Sequence, residues 1–287
     1  MRQSNELKRL YLNLYSHHEN ALDHFDLLNQ MIEKFKAERS RALKQIDRED
    51  AVWYYSNKMV GMTLYTDLFA GNFKKLIKKI PYLQELGITY VHLMPLLKPR
   101  DGENDGGYAV EDYRNVDPRL GTLDDFMILL KAFAKADIKV CIDYVLNHVA
   151  VEHSWAQEAL QGNVQAQARF FMFEDRTIPD LYDETVPEVL PDKCPGNFTY
   201  IKEIDKYVFT SFSNFQWDLN FTNPEVFHEV IEVMLYLANL GVNMLRLDAI
   251  PFMWKQLHTT CRNLEPIHDL LRMIYLIKQE VAPSLAL

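Results

Sequence analysis

The sequence reads as an α/β fold built on a parallel sheet. After Gly61, short β-rich apolar runs alternate four times with amphipathic helical segments. One of those runs, "IKVCIDYVLNH" (138–148), is apolar nearly throughout, as expected of a parallel strand covered on both faces. Right-handed crossovers follow from the alternation.

A helical region comes first. Leu7, Leu10, Tyr11 and Leu14 follow the i, i+3, i+4, i+7 spacing of one helix face, as do Leu28, Met31, Ile32 and Phe35, and no glycine occurs before Gly61. The first strand candidate lies in "GMTLYTDLF". The helix after it, "FKKLIKKIPYLQELG", places Phe73, Leu76, Ile77 and Ile80 on one face and stops at Gly87. "ITYVHLMPLL" (88–97) is the second strand. A helix then opens at Thr122 with Asp125 as its capping-box partner, burying Leu123, Phe126, Leu130 and Phe133. The third strand is the apolar run at 138–148. Residues 149–220 carry prolines, several aromatics and no long periodic helix, and read as an inserted subdomain. Asn223 and Pro224 open the next helix, Gly241 closes it, and "VNMLRLDAI" is the fourth strand. A last helix covers about 266–280. The expected division is therefore 1–55 helical, 56–148 first part of the sheet, 149–220 insertion, and 221–287 continuation of the sheet.

Composition narrows the function. With 31 basic and 40 acidic residues the net charge is -9, which disfavours phosphate backbones and anionic membrane surfaces. Three cysteines without a CxxC pair suggest neither disulfides nor a thiolate metal site, and fit a reducing cytoplasm. No apolar stretch approaches the roughly 20 residues of a membrane span. Partners are thus expected to be neither nucleic acid nor membrane.

Arg246 and Asp248, two apart on a strand, leave the same face at its C-terminal end. A guanidinium beside a carboxylate keeps it ionised and oriented, as a nucleophile requires; an ordinary ion pair at a strand end would look the same. Asp143, Asn147 and His148 end the third strand in a parallel way. "HVAVEH" (148–153) is one residue too long for an inverted zincin, so no metal is expected there. "DGENDGGYAVEDYR" (101–114) has glycines that allow close backbone approach and a tyrosine able to stack on a sugar, though a surface turn reads equally well.

Three segments together resemble the α-amylase family of glycoside hydrolases. "DYVLNH" is similar to its first conserved region, "MLRLDAI" to its second, and "QWDLN" (216–220) to the motif closing its inserted subdomain. More narrowly, "DLFAGN", "DGGYAV", "FQWDLN", "LANLGVNMLRLDA" and "WKQ" resemble the amylosucrase branch. The resemblance runs from about residue 10 to the end. It implies an incomplete (β/α)8 TIM barrel, about the first four strands, with the insertion after the third.

It also implies a retaining double displacement on sucrose, passing glucose to an α-glucan without cofactor. Asp248 would be the nucleophile, held ionised by Arg246 with Asp143 as support. His148 would hydrogen-bond the donor glucose, Tyr108 would stack on it and Asp105 would close the pocket. Phe212 would line the cleft, Gln216 to Asn220 would brace the insertion, and Asn147 would give support. Leu190 stands where an aromatic is usual, leaving acceptor or leaving-group contacts open. A sucrose hydrolase and a starch hydrolase with calcium near Asn147 are alternatives, as is a non-catalytic binding barrel. The family's second carboxyl, a glutamate, ends the fifth strand. No counterpart follows Asp248 within "VAPSLAL", so the chain is expected to be the N-terminal part of a longer enzyme and inactive alone.

Overall fold

A computed structural model describes residues 2–287. Helices α1 (Arg2–Tyr15), α2 (Ala21–Glu38) and α3 (Arg41–Glu49) form the N-terminal region. Phe25, Leu28, Ile32 and Phe35 are buried along α2, so the apolar stripe faces the body of the protein. Ser40 caps α3 by accepting from the Leu43 amide.

The central sheet has four parallel strands in chain order: β1 (Gly61–Leu64), β2 (Tyr90–Leu93), β3 (Lys139–Val145) and β4 (Met244–Asp248). Register pairs Met62 with Val91, Val91 with Val140, and Leu245 with Ile142. Three longer helices cover the outside: α4 (Leu123–Lys135), α5 (Pro224–Leu240) and α6 (Glu265–Val281). Thr122 and Asp125 close the expected capping box. Asn223 caps α5, Pro224 sits in its first turn, and Gly241 ends it with a left-handed φ of 104°. Consecutive neighbours in one parallel sheet are the beginning of a barrel wall.

Three elements differ from the sequence reading. The helix expected through 73–86 is two short ones, Phe73–Ile77 and Ile80–Glu85. Pro81 lacks an amide proton and its ring clashes with the carbonyl four residues back, so the helix restarts. Phe73, Leu76 and Ile80 are buried, while Ile77 is only partly so. The second strand ends at Leu93, and Leu97–Pro99 turns off to pair antiparallel with Val110–Val116. The third strand likewise ends at Val145, and His148–Ala150 pairs antiparallel with Gln216–Asp218. That pairing lays the two ends of the insertion side by side. Within it, Lys206–Phe209 sits between Met172–Phe173 and Phe198–Ile201 in a small antiparallel sheet, over a core of Tyr182, Val186, Phe198 and Phe209.

The chain's last residues approach the open edge of β4. Ala286 bridges to Met244 in parallel sense: its amide donates to the Asn243 carbonyl at 2.9 Å, and the Leu245 amide donates to the Ala286 carbonyl at 3.0 Å. Met244, Leu247, Ile250, Leu271, Ile274 and Leu287 line an apolar cleft beside them.

Phe126 is fully buried on α4, its ring 5.5 Å from that of Phe73. Phe126→Ala is expected to lower unfolding stability by about 3–5 kcal/mol, read by urea denaturation; a loss under about 1 kcal/mol would mean that α4 does not anchor the sheet.

Candidate active site

The register of β3 against β4 sets Arg246 opposite Asp143 and Asp248 opposite Val145. Parallel neighbours in register project their side chains on the same face, so Asp143, Arg246 and Asp248 converge at one rim. Asp143 is buried. One of its oxygens accepts from Arg246 Nη1, and the other lies 2.9 Å from His92 Nε2 on β2. Arg246 Nη1 is also 3.0 Å from Asp248 Oδ1 and donates to the Tyr108 hydroxyl at 3.3 Å. Three strands thus contribute to one chain of polar contacts, His92–Asp143–Arg246–Asp248.

Arg246, expected to hold Asp248 ionised, lies beside a carboxyl whose burial works the other way. Burial is the largest influence on the Asp248 carboxyl and holds it above the ordinary 3.8, with Asp143 adding repulsion; Arg246 pulls the other way without cancelling the burial. Arg246 itself is held firmly charged, chiefly by its hydrogen bond to Asp143. Asp143 therefore serves the guanidinium, and the guanidinium orients Asp248.

A second group forms the adjoining wall. Gln216 is fully buried, and its Nε2 lies 3.0 Å from His148 Nε2 and 3.4 Å from Asp105 Oδ2. The Phe212 ring sits 5.0 Å from the His148 ring and 5.1 Å from that of Phe252. Burial pushes the His148 pKa below its usual value despite the pull of Asp218, Asp248 and Asp105, which favours a neutral imidazole able to bind hydroxyls. Asp105 takes a left-handed φ of 54° beside Gly106 and Gly107. A Cβ on Gly107 would stand 2.8 Å from Pro95 Cβ, so only glycine lets this loop close on the second strand's end. Tyr108 is half-buried, with its hydroxyl toward Asp143 and Arg246.

Beneath this wall lies a charge that sequence reasoning overlooked. Lys255, 4% exposed, puts its ammonium 2.6 Å from Asp218 Oδ2 and 3.1 Å from Asn147 Oδ1. Asn147 Nδ2 donates to the same Asp218 oxygen at 3.0 Å, and the Ser211 amide donates to Asp218 Oδ1 at 2.9 Å. Fully hydrogen-bonded, the buried pair ties the β3 exit, the insertion and the segment after β4 together. An ammonium already fills the space between Asn147 and Asp218, so calcium there would have to displace it. Among the described residues, no group of three or more His, Cys, Asp or Glu could hold a metal ion.

His92 and Tyr113 also went unnoticed in the sequence. The Tyr113 hydroxyl donates to the carbonyls of Val145 at 2.9 Å and His148 at 3.1 Å, fixing the bend that delivers His148. The signal for His92 was a polar residue inside "YVHLMPLL", and for Lys255 a lysine among the apolar residues of "PFMWKQ". Leu190 opens a turn of the insertion, its carbonyl accepting from the amides of Lys193 and Cys194.

Residues 31–270 match the family profile "Alpha amylase, catalytic domain". The chain belongs to the alpha-amylase family. Enzymes of that family act on glycosidic bonds. Among curated proteins it is 36% identical to the glucosylglycerate phosphorylase of Allomeiothermus silvanus, over 69% of this chain and 33% of that protein. It is 34% identical to the trehalose synthase of Thermus thermophilus, over 75% of this chain and 22% of that protein. The chain thus spans about a third or less of the length of these two relatives. A solved structure, the trehalose-6-phosphate hydrolase of Bacillus licheniformis, superposes with a TM-score of 0.66 at 26% identity, over 78% of this chain and 42% of that one. The barrel reading follows from the family, and the four parallel strands are its first part. Among the described residues, no helix is long and apolar enough to cross a membrane.

Lys255→Met is expected to destabilise the fold by about 3–5 kcal/mol in urea denaturation, because Asp218 stays buried without its cation. Adding Asp218→Asn should recover part of the loss. No recovery would mean that the two charges are not coupled. For Asp248, a pKa raised on folding means that the ionised carboxylate opposes folding at pH 7 and that this opposition fades as pH falls toward 3.8. Asp248→Asn should therefore melt higher than the parent at pH 7, with the gap closing toward pH 4; equal melting at pH 7 would remove the argument from burial.

Proposed function

We propose that the protein formed with this chain is an α-retaining glucosyltransferase of the amylosucrase type. It takes glucose from sucrose, releases fructose and extends an α-1,4-glucan. Asp248 attacks the anomeric carbon as the bond to the fructosyl oxygen breaks, giving a glucosyl ester. The acceptor hydroxyl then displaces Asp248, losing its proton to the group that had protonated the leaving oxygen. The observation that carries this reading is the convergence of Asp248, Arg246 and Asp143 from β3 and β4 on one rim, beside His148, Asp105 and Tyr108.

Each remaining residue has a part in this reading. His148, as a neutral imidazole, binds glucose hydroxyls together with Asp105, Tyr108 faces the sugar ring, and Phe212 lines the approach. Gln216 braces the wall, while Asp143 and Asn147 support it from below. Retaining glycosidases hold their two carboxyls roughly 5 to 5.5 Å apart, so the proton donor must stand close across from Asp248. A fifth strand continuing the Ala286–Met244 register draws level with Asp248 four residues beyond Ala286, as Asp248 lies four beyond Met244. A carboxyl borne there would meet the requirement. The buried Lys255–Asp218 pair supports this reading over a calcium-dependent starch hydrolase.

A second reading rests on the 36% identity to a glucosylglycerate phosphorylase: the same glucosyl ester would be opened by phosphate instead of a glucan. A sucrose hydrolase differs from both only in using water.

The test uses the full-length protein containing this chain and a fifth strand. Incubation with sucrose should release fructose in excess of free glucose while glucan accumulates, and Asp248→Asn should lower the rate at least about 10⁴-fold. Free glucose equal to fructose throughout would replace transfer by hydrolysis. Glucose 1-phosphate formed from glucosylglycerate and phosphate, with sucrose inert, would replace the donor.

A further inference from the structure

The segment leading from α6 to the edge of β4 is gripped by the N-terminal region. The Ser284 hydroxyl and amide both donate to Asp47 Oδ1, the amide at 3.2 Å, and Trp53 Nε1 donates to the Ser284 carbonyl at 2.8 Å. From α6, Lys278 Nζ donates to the Pro283 carbonyl at 2.8 Å. Asp47 is held in turn by Arg39, whose Nη2 donates to Oδ1 at 2.9 Å. Arg39 Nη1 reaches the Ala238 carbonyl and Asn239 Oδ1, both at 3.1 Å, at the end of α5.

Arg39, Trp53, Lys278 and Ser284 are all at most 7% exposed. Charged groups are costly to bury unless their hydrogen bonds are filled, and here the Arg39–Asp47 pair spends its capacity on α5 and on Ser284. Only Leu285 separates that grip from Ala286, which makes the two backbone bonds to β4. Two such bonds at a sheet edge do not order an extended segment unaided.

We propose that the N-terminal helical region is a strand clasp: Arg39 and Asp47, acting through Ser284, seat the segment entering a fifth parallel strand and fix its register on β4. Register matters because a slip of one residue turns every side chain of a strand to the opposite face. With Ala286 level with Met244, alternate residues after Ala286 share the face of Arg246 and Asp248. Under the function proposed above, Arg39 and Asp47 are positioning residues for the strand that faces the nucleophile. The clasp itself depends only on the fold, so its test uses no sugar.

The experiment is amide hydrogen exchange on the 287-residue chain, comparing the parent with Ser284→Ala, Ser284→Thr and Arg39→Met. The amides of Leu245 and Ala286 should exchange at least about tenfold faster in Ser284→Ala, with those of β2 and β3 unchanged. Ser284→Thr keeps the hydroxyl and should keep the protection. Unchanged exchange at Leu245 and Ala286 in Ser284→Ala would overturn the clasp, as would equal acceleration throughout the sheet, which marks a general loss of stability. Arg39→Met should repeat the selective loss. If that variant does not fold, Ser284→Ala decides alone, because it leaves the Arg39–Asp47 pair in place.

Discussion

The parallel register between β3 and β4 is the constraint on which the site depends. It sets Arg246 beside Asp143 and brings Asp248 to the rim with a cation at its side. The arrangement gains its rigidity from asymmetry. Asp143 is buried and bonded on both oxygens, to Arg246 and to His92, whereas Arg246 stays half-exposed and reaches outward to Asp248 and Tyr108. The buried carboxylate fixes the guanidinium, and the guanidinium holds Asp248 at the rim. Burial that raises the Asp248 pKa opposes folding at neutral pH, as desolvation of an ionised carboxylate does.

Around this core the insertion acts as a wall. Its two ends lie side by side through the pairing of His148–Ala150 with Gln216–Asp218, so His148 and Gln216 face the rim together. The Lys255–Asp218 pair holds that wall from below with an ammonium reaching in from the chain segment after β4. Segments far apart in sequence are thereby fixed to one another by a few fully satisfied polar groups. Such networks specify geometry when complete and are costly when one member is lost.

The N-terminal helices join the same core. Their buried stripe packs on α5 and α6, and Arg39, Asp47 and Trp53 meet the segment that returns to β4. These helices therefore do more than cover the sheet: they grip the segment that bridges to its β4 edge.

The alternation of strands and helices, the capping box at Thr122, the Asn223–Pro224 helix start and the Gly241 stop were all legible in the chain, because each is a local preference of backbone and side chain. The pairing of Arg246 with Asp248 was also legible, since a spacing of two on a strand fixes a common face. Pro81 was legible in principle, but its break in the helix yielded to the apolar spacing around it. What the sequence could not convey was which distant groups meet. His92 against Asp143, Lys255 against Asp218, Tyr113 at the β3 exit and Ser284 on Asp47 all join residues from different elements. Their contacts arise only when register and packing place them within hydrogen-bonding reach. For the same reason the sign of the Asp248 pKa shift was decided by tertiary structure: spacing supplies the neighbouring arginine, but only packing removes the water.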